Sequence, residues 1–140
     1  MSNQNNNKGM NIGLWVAQVL VALTLIWGAY AKLMMPAEEL AAMMPWTADS
    51  PSLATLTGVV DLLGGLGLIL PALLKIQPKL TIYAAYGTML LMVAGSIFHG
   101  SRGEFPLIGM NLFILALAYF IAWGRTKKAP IYAKGSARLA

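Results

Sequence analysis

Four side chains of this 140-residue chain carry chemistry into otherwise apolar surroundings: Lys32, Asp61, His99 and Asn111. An ammonium pairs with a carboxylate, an imidazole exchanges protons near neutral pH, and a carboxamide both donates and accepts. Asp61 is the most demanding. It stands in LTGVVDLLGGLGLILPALL, residues 56–74, where every other residue except Thr57 is apolar or small. A carboxylate there costs about 2.5–3.5 kcal/mol on insertion scales, so such acids turn inward and find partners. Lys32 is the natural partner, with His99 or Asn111 as further hydrogen-bonding groups.

The elements that must position these groups follow from composition. Hydrophobic residues make up 58% of the chain and charged residues 11%, and the mean hydropathy is +0.66. A water-soluble domain carries about 25% charged residues, so this chain belongs in a bilayer. Four apolar stretches, 12–31, 53–74, 80–98 and 107–123, each approach the roughly 20 residues a spanning helix needs. Backbone groups in lipid pair within their own segment, which makes the expected fold an all-α integral membrane four-helix bundle.

Residues 1–11, rich in Asn, read as a disordered leader, and 125–140 as a basic tail. The first stretch is too long for the h-region of a signal peptide and its leader has one lysine, so it is expected to be retained. The connection KIQPK makes the second and third helices an antiparallel hairpin. Residues 36–44 read as a short interfacial helix, with Pro36 in its first turn, Glu38 and Glu39 at its N-terminal end, and Trp46 at headgroup depth.

Basic residues set the orientation. Lys8, Lys75, Lys79, Arg125, Lys127, Lys128, Lys134 and Arg138 fall on one side of an alternating bundle, against Lys32 and Arg102 on the other. Both termini are therefore expected in the cytoplasm, with the protein in the inner (plasma) membrane. The net charge of +5 comes largely from that cytoplasmic set, which suits anionic lipid; no nucleic-acid recognition motif accompanies it.

Helical spacing brings the polar groups together. Gln18, Ala22, Leu25, Ala29 and Lys32 share a stripe on the first helix, and Gly58, Asp61, Gly65, Leu68 and Ala72 one on the second. Ala85, Thr88, Met92, Gly95 and His99 do so on the third, and Asn111, Leu115, Ala118 and Ala122 on the fourth. At 1.5 Å per residue Asp61 lies roughly 12 Å below Leu53 and Asn111 about 6 Å below Leu107. All four groups thus belong to the outer half, as a ligand-binding or proton-handling centre.

Two plainer readings compete. Lys32 and Asp61 could merely staple two helices, although polar contacts in membranes average only about 0.6 kcal/mol. Arg102 and Glu104, secondary site candidates with Gln18, are equally a loop ion pair. Gly64, Gly65 and Gly67 lie inside a helix and read as packing, since a phosphate cradle needs a strand and an exposed loop. With no cysteine and one histidine, thiol redox chemistry is absent and a protein-built metal site is not expected. No arrangement of residues marks a catalytic group or a built-in cofactor.

The chain resembles the DoxX-like family of small four-helix membrane proteins over about residues 12–124. The resemblance rests on GAYAKL, with Gly28 and Lys32, on DLLGGLGLILP, with Asp61, Gly65 and Pro71, and on His99 ending the third helix. It implies an outward polar centre built on Lys32, Asp61 and His99, with Asp61 where the family often has glutamate. Some members of the family are membrane subunits of a thiosulfate:quinone oxidoreductase; others associate with redox or detoxifying enzymes, and animal relatives assist receptor assembly.

The leading expectation is a component that binds a lipid or quinone-like ligand, or that assembles with a membrane or redox partner protein. The alternatives are a quinone-linked oxidoreductase subunit and, further off, a small proton-coupled exporter. The sequence leaves self-association into a homo-oligomer open.

Overall fold

The computed structural model describes residues 2–134, with side-chain surroundings from Lys8 onward. Among these residues every regular element is helical: α1 (Ser2–Met34), α2 (Ala37–Met43), α3 (Trp46–Asp49), α4 (Pro51–Leu74), α5 (Lys79–Ser101), α6 (Phe105–Trp123) and a π-helical turn at Gly124–Lys128. Four segments are long and apolar enough to cross a membrane: Lys8–Met34, Pro51–Leu74, Lys79–Ser101 and Phe105–Lys128.

Their outward faces are greasy. Leu63, Leu90 and Ile97 are 65%, 72% and 70% exposed, an arrangement that water would penalise and a hydrocarbon solvent would not. α1 packs on α4, α4 on α5, α5 on α6 and α6 back on α1, which closes a bundle. Small residues allow the close approach: a Cβ at Gly65 would lie 2.6 Å from Ile26 Cγ1 and 3.1 Å from the Ala22 carbonyl. The core between the helices joins Ala17, Val21, Ala22 and Leu25 of α1 to Leu68, Ala85, Ile114 and Ile121.

Pro71 sits inside α4 and has no N–H for the carbonyl four residues earlier. That carbonyl, Gly67 O, accepts instead from the Thr81 hydroxyl of α5 at 3.1 Å. The neighbouring Leu68 O accepts from Gln18 Nε2 of α1 at 2.6 Å. The proline thus frees one helix carbonyl for a contact between helices, and the Gln18 bond adds a second beside it.

Three expectations need correction. Residues 2–11 are not an irregular leader, because α1 begins at Ser2; extending an already nucleated helix costs little per residue. The helix expected over 36–44 ends at Met43, and Met44 leaves the helical region at φ −131, ψ 82 because Pro45 follows it. A separate turn, α3, then begins. Its first residue, Trp46, is buried at 6% exposure. On α6 it is Ile114, not Leu115, that enters the core. Arg138 and the rest of 135–140 lie outside the described residues.

Candidate functional site

Gly28 and Lys32 are one helical turn apart on α1, facing Gly58 and Asp61 of α4. A Cβ at Gly28 would stand 3.0 Å from Asp61 Oδ2, and one at Gly58 would stand 3.0 Å from Lys32 Cβ. The two glycines let the helices close until Lys32 Nζ donates to Asp61 Oδ2 at 2.8 Å. Both side chains are largely withdrawn from solvent, at 13% and 7% exposure.

The pair lines a cavity of about 480 Å³. His99 and Asn111 line it too, so the four residues singled out by sequence come together. Its deeper wall is apolar, formed by Leu25, Leu91, Met92 and Ile114. Met44 and Trp46 line it from the α2–α3 segment. Lys32 Nζ stands 5.7 Å from the centre of the Trp46 ring, a cation–π contact that supports the ammonium where water is scarce. Trp46 in turn meets Phe98 and His99 edge to face, at 5.5 and 6.2 Å between centroids.

His99 Nδ1 bonds Glu104 Oε1 at 3.0 Å. In the neutral imidazole a carboxylate on Nδ1 favours the proton there and leaves Nε2 an acceptor. Arg102 donates through Nε to the same Glu104 oxygen at 3.0 Å and through Nη2 to Asp49 Oδ2 at 2.9 Å. The hydrogen bond from His99, reinforced by Arg102 against partial desolvation, holds the Glu104 carboxyl below its ordinary value. Gly103 turns the chain here at φ +75, a conformation suited to glycine. Arg102 and Glu104 therefore do form a loop ion pair; they touch the cavity through His99, and Asp49, which the sequence did not flag, fastens α3 to the turn.

Asn111 is different. No group among the described residues bonds its carboxamide, which lies beside Gly95, where a Cβ would come within 3.2 Å of Nδ2. It offers the cavity a donor and an acceptor. Among the described residues, no three His, Cys, Asp or Glu cluster to hold a metal ion.

Gln18 is not part of this site. It bonds Leu68 O and accepts from Arg125 Nε at 2.7 Å, at the opposite end of the bundle. Arg125 Nη1 also donates to Asn11 Oδ1 at 2.6 Å and to Ala129 O at 2.9 Å, and the guanidinium lies 5.5 Å from the Trp15 ring centre. At 2% exposure, Arg125 belongs to the core and not to a solvated tail. The signal was present in the sequence: Ala118, Ala122 and Arg125, at spacings of four and three, continue the inward stripe of α6.

Fold and site together define a small multi-pass membrane bundle with a polar cavity at one end. A model of the DoxX-like family matches residues 16–121, and the chain belongs to that family. Comparison with curated proteins and with solved structures gives no match.

Proposed function

We propose that the protein is an inner-membrane binding component whose cavity takes an amphiphile with a neutral, hydrogen-bond-accepting head and an apolar body, a lipid or quinone-like molecule. One observation carries this reading: the cavity of about 480 Å³ has Lys32, Asp61, His99 and the unbonded Asn111 carboxamide on a wall that is otherwise largely apolar. Asp61 offsets the charge of Lys32, so the site offers donors without a net charge to recruit an anion. An accepting carbonyl fits that better than a carboxylate or phosphate does.

The distribution of basic residues supports an outward cavity. Lys75, Lys79, Lys127, Lys128 and Lys134 accompany the ends opposite to Lys32 and Arg102, a bias that favours both termini in the cytoplasm. On that orientation α2 and α3 lie at the outer interface and roof the cavity. A lipid-soluble ligand reaches such a site from the membrane or from the outer face.

The test is mass spectrometry of organic extracts from purified wild type and the Asp61→Asn variant, compared at equal folded fraction. A lipid or quinone present in wild type and lost from the variant is the expected result. Equal retention, with the variant merely less stable, would reduce Asp61 to a staple and shift attention to partner proteins.

A second reading, a membrane subunit of a quinone-linked oxidoreductase, is favoured by the presence of two titratable groups, Asp61 and His99, on one cavity. A partner would supply the electrons, since the chain has no cysteine for thiol chemistry. Absence of quinone reduction by the protein with its native membranes would remove it.

A further inference from the structure

A second cavity, of about 420 Å³, lies along the α4–α5 seam. It shares Leu25 and Leu91 with the first. The two also follow in register along both helices. On α4 the first cavity takes Thr57 and Asp61 and the second runs from Val60 to Pro71; on α5 the first takes His99 back to Leu91 and the second continues from Leu91 to Leu80.

Glycines shape the groove, Gly64 and Gly67 by close packing on Leu25 and Ala84 and Gly87 by leaving space open. Gly64 and Gly67 line its α4 wall and Gly87 its α5 wall, and a Cβ at Gly87 would meet nothing within 4 Å. The Thr88 hydroxyl on its wall is already used, donating to Ala84 O at 2.8 Å. Leu63 and Tyr83, on its walls, are among the exposed large hydrophobics, so the groove opens toward lipid. From Val60 to Pro71 it follows roughly 16 Å of helix, the length of a medium alkyl chain.

We infer that this groove holds the apolar tail of the same ligand whose head occupies the cavity, so that the protein selects its ligand by chain as well as by head group. The inference rests on the proposed head site and adds a requirement to it: the ligand is single-tailed at the groove and lies along the α4–α5 seam.

The experiment uses the full chain in bilayer nanodiscs and two probes, a benzoquinone ring bearing a decyl chain and the same ring bearing only a methyl group. Gly87→Leu fills the groove, and Leu90→Trp, at a lipid-facing position lining neither cavity, is the control. At equal membrane concentration the chain leaves lipid and not water, so only its packing in the groove favours it, and wild type should bind the decyl probe about threefold or more tighter than the methyl probe. Gly87→Leu should erase most of that ratio and leave methyl-probe binding unchanged, while Leu90→Trp keeps both.

A wild type that binds the methyl probe without a decyl advantage, as when bilayer acyl chains or a second copy fill the groove, overturns the tail site and leaves the head site standing. A Gly87→Leu variant that keeps the advantage does the same. Loss of both probes in that variant also counts against a separate tail site. Binding of neither probe by wild type removes the quinone-type head and the tail inference with it.

Discussion

The bundle holds two polar centres, one at each end, and they are built on opposite principles. Around Lys32, opposite charges meet at 2.8 Å beside a cavity that an unbonded carboxamide and an imidazole also line. Around Arg125, neutral groups surround one cation: Gln18, Asn11 and the Ala129 carbonyl accept from it. That centre lines neither of the two cavities described. A cation tied by neutral acceptors inside packed helices fixes their register. A compensated pair beside open volume leaves bonding capacity for something else.

Removing Arg125 breaks this comparison most severely. Arg125→Leu strands the Gln18 oxygen and the Ala129 carbonyl in the core, and each buried acceptor left unpaired costs about 1–3 kcal/mol. Thermal unfolding in mild detergent should show the loss, while ligand retained per folded molecule stays at the wild-type level. Ligand loss in a fully folded Arg125→Leu protein would mean that the two ends are not separable in function.

At the other centre, single and double substitutions should diverge. Asp61→Asn leaves Lys32 half-shielded with a weaker partner, and should cost about 1–3 kcal/mol. Lys32→Met combined with Asp61→Leu removes both charges and should restore most of that stability. Neither protein should retain the ligand. A double variant that is stable and still loaded would show that the pair serves packing alone.

The contrast between the centres also explains what could be read from the residues beforehand. Helical stripes placed Lys32, Asp61, His99 and Asn111 together, because each stripe is local and their depths follow from rise per residue. The same reasoning grouped Gln18 with Lys32 on one stripe without using the distance along it, about 20 Å at 1.5 Å per residue. Arg125 was lost for a different reason: a cation just beyond an apolar run reads as solvated unless the inward stripe is followed past the end of the run. Trp46 and Asp49 depend on how a nonhelical break at Met44 and Pro45 folds the chain back over the bundle, and that return has no periodicity to betray it.

A smaller effect sharpens the picture of the Lys32 centre. In Gly28→Ala the added Cβ would lie 3.0 Å from Asp61 Oδ2, so the carboxylate must shift by a few tenths of an ångström. Stability should fall by about 1 kcal/mol or less, in the range of mild overpacking. Ligand affinity should fall by about fivefold, the equivalent of about 1 kcal/mol. Titration of the labelled ligand in nanodiscs separates the two quantities; unchanged affinity would place the bound head away from Asp61.

The least costly perturbation is acid, and it should act at one end only. Glu104 has its carboxyl lowered from an ordinary value of 4.5, by the hydrogen bond from His99 first and by Arg102 as well. A depressed carboxylate contributes stability that is fully present above its unfolded value and lost as pH falls through its folded value. Loosening of the 99–104 turn should therefore begin below about pH 4.5 and proceed as the lowered value is passed. Asp49 shares Arg102 with Glu104, so the α3 contact should weaken with it. The side chains that accept from Arg125, Gln18 and Asn11, do not titrate, and no carboxylate pairs with it among the described residues. Amide exchange measured between pH 6 and 3.5, corrected for intrinsic rates, should quicken at 99–104 relative to 124–129. Glu104→Gln should abolish that difference; if 124–129 loosened in step, acid would be acting on the bundle as a whole and the two ends would not differ in the way their side chains indicate.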